Sequence, residues 1–225
     1  MKTVIKVLIC AVIGFVVATL MLNNFTLDFM KYADVIVITL LVTIFTLLGV
    51  SLILFRQIKK LHDTELTGDE EDEVDLVMYK KFTDYTFYVQ SGLVLSVLVL
   101  CTSVIASQSI FFTIISIVTI MLSYMFTLYM TSLIQLIYPE RNIPNFSEPN
   151  YDEKLLEISD EGEKHVMLVG FYKSFNLMSV ALLIAIILAT FYSISTDQSQ
   201  LFSIVVMSLV LIIVHGKYCI TIRNK

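Results

Sequence analysis

The sequence predicts an all-α polytopic membrane protein with six transmembrane helices in three hairpins and helical extensions on the cytoplasmic side. Hydrophobic residues make up 57% of the 225 positions and charged residues only 16%. The mean hydropathy of +0.83 is typical of a polytopic membrane protein. Residues 85–139 include no Asp, Glu, Lys or Arg. Because about 20 helical residues cross a bilayer core of about 30 Å, this uncharged stretch is long enough for two spans.

The span boundaries follow from polar interruptions and flanking charges. The uncharged stretch divides at a polar cluster, residues 107–109. Earlier in the chain, Arg56 ends the predicted span at residues 35–55. At the N-terminus, Lys2 and Lys6 precede an apolar run as in a signal peptide, but no small-x-small cleavage site follows, so we assign a first span here. The predicted spans cover residues 4–22, 35–55, 86–106, 110–137, 175–195 and 201–220 of a single membrane domain, with long loops at 56–84 and 138–174.

Both long loops have the features of helix starts. Thr67 and Glu70 have the spacing of a capping box, and the acidic residues beside Glu70 favour the positive end of a helix dipole. Ser159 precedes a second acidic run and is predicted to cap a helix that continues into the fifth span. All three prolines lie at positions 139, 144 and 149, which predicts an irregular linker before that helix.

The distribution of basic residues predicts the orientation. Of the 15 Lys and Arg residues, 14 lie at the N-terminus, in the two long loops or at the C-terminus, and only Lys31 lies in a short loop. Basic residues are enriched on the cytoplasmic side. We therefore expect a multi-pass protein of the cell membrane with both termini and both long loops in the cytoplasm.

The spans carry no recognisable catalytic chemistry. They contain no acidic pair, no His-Glu-x-x-His and no glycine-rich phosphate loop, so we expect neither an enzyme nor a cofactor. Cys10, Cys101 and Cys219 lie far apart in three apolar segments. This spacing favours small packed residues over a disulfide framework or a metal site.

The fourth span carries a polar stripe with a spacing of four residues. Its members are Thr119, Ser123, Thr127, Thr131 and Gln135, which share one face of a helix. Such a stripe can line a cavity or allow close helix packing and interhelical hydrogen bonds. The sequence favours packing.

The cytoplasmic loops are acidic, with net charges of −3 for residues 56–81 and −4 for residues 138–173. This argues against direct nucleic-acid binding and suits a basic protein partner, although charge retained for solubility and topology is an equal alternative. The candidate partner-binding residues are Asp69, Glu70, Glu71, Asp72, Glu73, Asp160, Glu161, Glu163, Tyr172 and Lys173.

Residues 158–165 (ISDEGEKH) and 171–176 (FYKSFN) carry a family resemblance. They resemble a motif of an uncharacterised family, a domain of unknown function, of six-span membrane proteins from Gram-positive bacteria. The family offers no activity or site residues to transfer. Its members are often encoded beside a small helix-turn-helix regulator, which implies a regulatory membrane partner.

Two functional hypotheses follow from the sequence. The first is a non-enzymatic accessory or regulatory protein that contacts a partner, such as a regulator or a transporter subunit, through the acidic loops. The alternative is a small transporter or carrier of a hydrophobic or small neutral substrate that uses the polar stripe. In both hypotheses the protein lies in the lipid bilayer.

Overall fold

The computed structural model describes residues 32–63, 69–106, 109–138, 141, 143–144, 148–196 and 198–223. The helices in these parts are α1 (Ala33–His62), α2 (Asp69–Ile105), α3 (Ile110–Ile137), α4 (Tyr151–Ile158), α5 (Glu161–Thr196) and α6 (Leu201–Arg223). The predicted all-α class is confirmed for this part of the chain. The predicted first span (4–22) and the Thr67 cap lie outside the described residues.

Five of these helices, α1, α2, α3, α5 and α6, are long and apolar enough to cross a membrane. Their outer faces are strongly apolar, as shown on α1 by Val35 and Val42, which are 62% and 58% exposed. Soluble monomers rarely expose apolar surface on this scale. The five helices therefore indicate a multi-pass membrane protein.

Several helices are longer than the bilayer core. With 37 residues and a rise of about 1.5 Å per residue, α2 is about 55 Å long, against a core of about 30 Å. Its N-terminal turns are the charged ones, so α2 is long enough to extend beyond a bilayer core at that end. The break between α2 and α3 falls between Ile105 and Ile110, which is where the sequence places it.

One compact unit of the chain contains α1 to α4. Here α1 and α3 both pack against α2, and α1 also contacts α3. One core lies towards the charged end of the helices and consists of Ile58, Met78, Tyr85, Val89, Met130, Leu133 and Ile137. A second core, towards the other end, consists of Val37, Leu41, Ile44, Leu48 and Val99.

Polar contacts also join the helices of this unit. The Tyr85 hydroxyl, buried in the first core, donates to the Phe126 carbonyl oxygen at 2.8 Å. Nearer the charged end, Lys81 Nζ donates to Gln57 Oε1 at 2.6 Å. These contacts link α2 to α3 and α1, respectively.

The second compact unit contains α5 and α6, and no residue of either helix is buried. At the turn between them, the Gln200 N–H donates to Ser193 Oγ at 3.2 Å. Further along, Ser179 Oγ lies 3.2 Å from His215 Nε2, and the Phe175 ring packs edge-on against His215. Within α5, the Ser179 hydroxyl also donates to the Phe175 carbonyl at 2.9 Å.

The linker before α5 differs from the prediction in two ways. It contains a helix, α4, because residues 150–158 carry no proline and only the segment before them is interrupted. Ser159 does not cap α5 as predicted, because α5 begins at Glu161 and Ser159 ends α4. The Ser159 hydroxyl donates to the Leu155 carbonyl at 2.7 Å, which satisfies an oxygen at the end of α4.

Candidate functional site

The polar stripe of the fourth span lies on α3, and its members have different surroundings. Thr119 and Ser123 are buried, and Thr127 is half-buried. Thr119 donates to the Ser116 carbonyl and Thr127 to the Ser123 carbonyl. Gln135 is exposed, and the side chain of Thr131 lies outside the described residues. The buried members thus face neighbouring helices, and Gln135 lies at the end of α3.

Ser123 is the stripe residue that bonds across the helix interface. Its Oγ lies 3.3 Å from the Oγ of Ser96 on α2. Because Ser96 gives its own hydrogen to the Gly92 carbonyl, Ser123 is the donor of the interhelical bond. Gly92 lies in the same contact, where a Cβ would be 3.6 Å from Leu48 Cδ2. Small residues therefore bring α1, α2 and α3 close together.

Where α3 ends, Gln135 contributes to an open groove of about 450 Å³, which we call the linker groove. Its polar lining comes from Gln135, Glu148, Lys154 and Glu157, and its apolar lining from Ile143, Pro144 and Ile158. Ile143 and Pro144 are buried. The groove lies entirely within the unit that contains α1 to α4.

Two backbone turns build the linker groove. After α3, the Arg141 N–H donates to the Tyr138 carbonyl and the Ile143 N–H to the Arg141 carbonyl. Before α4, Asn150 has a φ of 61°, a left-handed conformation that Asn tolerates better than most residues. This second turn brings Glu148 against α4, where its carboxylate pairs with Lys154 Nζ at 2.8 Å.

The segment of the chain that supplies the linker and α4 has an excess of acidic residues. Residues 138–160 contain six acidic and two basic residues. Both basic residues are engaged, since the Arg141 guanidinium lies 4.8 Å from the centre of the Tyr138 ring and Lys154 pairs with Glu148. Among the described residues, the carboxylate of Glu157 has no hydrogen-bond or ion-pair partner. The groove therefore presents one uncompensated carboxylate beside apolar side chains.

The predicted partner-binding residues lie on α2, before α5 and on α5. Asp69, Glu70, Glu71 and Asp72 form the first turn of α2, and the Glu73 side chain is exposed. Asp160 precedes α5, and the Glu161 side chain is 93% exposed although it pairs with Lys164 at 3.1 Å. Glu163 is half-buried, and Tyr172 and Lys173 are exposed on α5. The α2 and α5 groups belong to different compact units, so the structure does not join them into one site.

Comparison with known families adds one finding. Residues 2–220 match the family described as "Protein of unknown function (DUF3169)". The chain belongs to the DUF3169 family. This confirms the predicted membership of a family of unknown function, over nearly the whole chain. No curated protein and no solved structure matches this DUF3169 protein.

In the described part of this DUF3169 protein, no three His, Cys, Asp or Glu residues are grouped to hold a metal ion. Of the groove residues, only Gln135 belongs to the polar stripe that the sequence predicts. The groove is formed by side chains from α3, the linker and α4. Periodic spacing along the sequence does not predict contacts between these separate segments. One signal was available, namely the excess of acidic residues around prolines 144 and 149.

Proposed function

We propose that this DUF3169 protein is a non-enzymatic accessory or regulatory membrane protein that engages a protein partner through its acidic cytoplasmic segments. The observation that carries the proposal is the difference between the spans and the charged segments. The polar groups described on α2 and α3 are used mainly within and between helices, whereas the acidic side chains of Glu157 on α4 and Glu161 on α5 are exposed. Glu161, for example, is 93% exposed, and Glu157 has no partner in the described residues.

The proposal includes a topology. Six spans, with the first at residues 4–22, place both termini, the start of α2 and the linker on the cytoplasmic side, in keeping with the positive-inside rule. The Gram-positive source implied by the family resemblance is part of the same proposal. A partner with a basic surface would be attracted by the charge of these segments, and salt would weaken that attraction.

Quantitative co-purification tests this proposal. The tagged chain is cross-linked in native membranes and isolated, and the proteins that it retains are compared between the wild type and two variants. One variant neutralises residues 69–75 and the other residues 160–163, with Asp→Asn and Glu→Gln changes. We expect a specific protein to be retained by the wild type and at least threefold less by a variant. Equal retention by all three chains would contradict the proposal.

The carrier alternative has less support. Thr119 and Ser123 are buried between helices and bonded within the helix cluster, which leaves them without access to a substrate. Replacing Thr127 with Val tests this alternative, because a carrier would lose transport while keeping its folding stability.

A further inference from the structure

We propose that the linker groove binds an arginine or lysine side chain from a basic segment of the partner protein. This inference rests on the proposed function and names the contact that such a partner would make. It adds a specific contact, at Glu157 and its apolar neighbours, to the acidic helix starts that the sequence emphasises.

The lining of the groove matches the two parts of such a side chain. Arginine and lysine combine a cationic head with an apolar stem that packs on apolar surface. In the groove, Ile143, Pro144 and Ile158 supply apolar surface, and Glu157 supplies a carboxylate. Gln135 adds an amide oxygen that can accept a hydrogen bond from a guanidinium or ammonium group.

The charges that line the groove also favour a cationic ligand over an anionic one. An anionic ligand would need Lys154, but this residue is already held by Glu148 at 2.8 Å. Arg141 does not line the groove, and its guanidinium lies 4.8 Å from the centre of the Tyr138 ring, so it supplies no competing cation to the lining. A cation from outside would satisfy the unpaired Glu157 without breaking either contact.

The form of the groove favours a side chain presented by a protein over a buried small molecule. The groove is open to its surroundings, whereas sites for small ligands bury most of the ligand surface. An open, mixed groove of about 450 Å³ suits one long side chain whose backbone stays outside.

Peptide binding to the purified chain tests the inference. The chain is placed in nanodiscs of phosphatidylcholine, which has no net charge, and titrated with a fluorescein-labelled peptide of alternating arginine and alanine. A peptide with citrulline in place of arginine keeps the shape and lacks the charge. We expect saturable binding of the arginine peptide, and weaker binding in Glu157→Gln by about fivefold, as expected for a partly exposed charged contact.

The matched control is Glu153→Gln, which removes the same charge from the same helix outside the groove. We expect it to change binding less than twofold, and Ile158→Ser to weaken binding through the apolar lining. Thermal unfolding of each variant shows whether the fold is retained. Equal losses in Glu157→Gln and Glu153→Gln, or equal binding of the citrulline peptide, would overturn the inference. So would N-acetylarginine amide binding as tightly as the peptide, because no protein segment would then be needed.

Partner retention in native membranes separates this inference from the proposed function. Reduced retention in Glu157→Gln supports both. Retention that falls only on neutralising residues 160–163 supports the proposed function and overturns the groove as its contact. Retention that no variant changes overturns both, whatever the peptide binds.

Discussion

Two serines on α2, seven residues apart, should respond in opposite ways to the same substitution. Ser96 accepts a hydrogen bond from Ser123 at 3.3 Å and donates one to the Gly92 carbonyl at 2.8 Å. Ser103 is equally buried, at 1% exposure, but among the described residues its Oγ has no hydrogen-bond partner. Ser96→Ala should therefore destabilise the protein, and Ser103→Ala should not.

The magnitudes follow from these contacts. Interhelical hydrogen bonds in membrane proteins contribute about 0.6 kcal/mol on average. The separation of 3.3 Å exceeds the usual 2.7 to 2.8 Å, so Ser96→Ala should cost about 0.5 kcal/mol. A buried unsatisfied hydroxyl costs about 1 to 3 kcal/mol. Because the Ser103 hydroxyl can rotate towards its own helix, Ser103→Ala should stabilise by about 0 to 1 kcal/mol.

Unfolding by SDS titration in mixed micelles, followed by circular dichroism, measures both changes. The double-mutant cycle of Ser96 and Ser123, each changed to Ala, should give a coupling energy of about 0.5 kcal/mol. A stabilising Ser96→Ala or a Ser103→Ala that costs more than about 1 kcal/mol would refute the assignment of these hydroxyls, because the signs rest on their contacts.

Three further predictions follow. Tyr85→Phe should destabilise the protein by about 0.6 to 1.7 kcal/mol because it removes the hydrogen bond to Phe126. Tyr85→Ala should cost about 3 to 5 kcal/mol because it also leaves a cavity. The same changes at the exposed Tyr124 should cost less than about 0.5 kcal/mol in the same SDS titration. Gly92→Ala should retain the stability of the protein or raise it by about 0.5 kcal/mol, because the added Cβ fits. Gly92→Leu should cost about 1 to 3 kcal/mol, because the larger side chain overpacks against α1 and α3. Equal thermal stability of the two variants in detergent would contradict this prediction. In a cysteine-free background, Gln198→Cys should react with a membrane-impermeant maleimide on intact cells and Glu153→Cys only after permeabilisation, and the reverse pattern would invert the proposed topology.

The sequence predicted helices well because each apolar segment is long and bounded by charges or polar clusters. The break at residues 107–109 illustrates this, since those residues are the only polar cluster near the middle of the uncharged stretch. The α4 helix was missed for a local reason. Prolines exclude a helix only around their own positions, and the residues after Pro149 include good helix formers.

The candidate site was less predictable because it depends on tertiary contacts. A spacing of four placed Thr119, Ser123 and Gln135 on one face of α3, but no periodicity states what that face contacts. Ser96 and Ser123 are 27 residues apart, and Gln135 and Glu157 come from separate helices. Their proximity follows from antiparallel packing and from the left-handed turn at Asn150.

The contact of small residues between α1, α2 and α3 has a consequence for mutational tolerance. In lipid, specificity between helices comes from close packing, since the tails are as apolar as the side chains. A position enclosed between these helices should reject larger side chains, whereas a position on their outer faces should accept exchanges among Leu, Ile, Val and Phe. A deep mutational scan should therefore record a restrictive region at Gly92 and Ser123 and a permissive one at Val94 and Val118, which are 68% and 56% exposed.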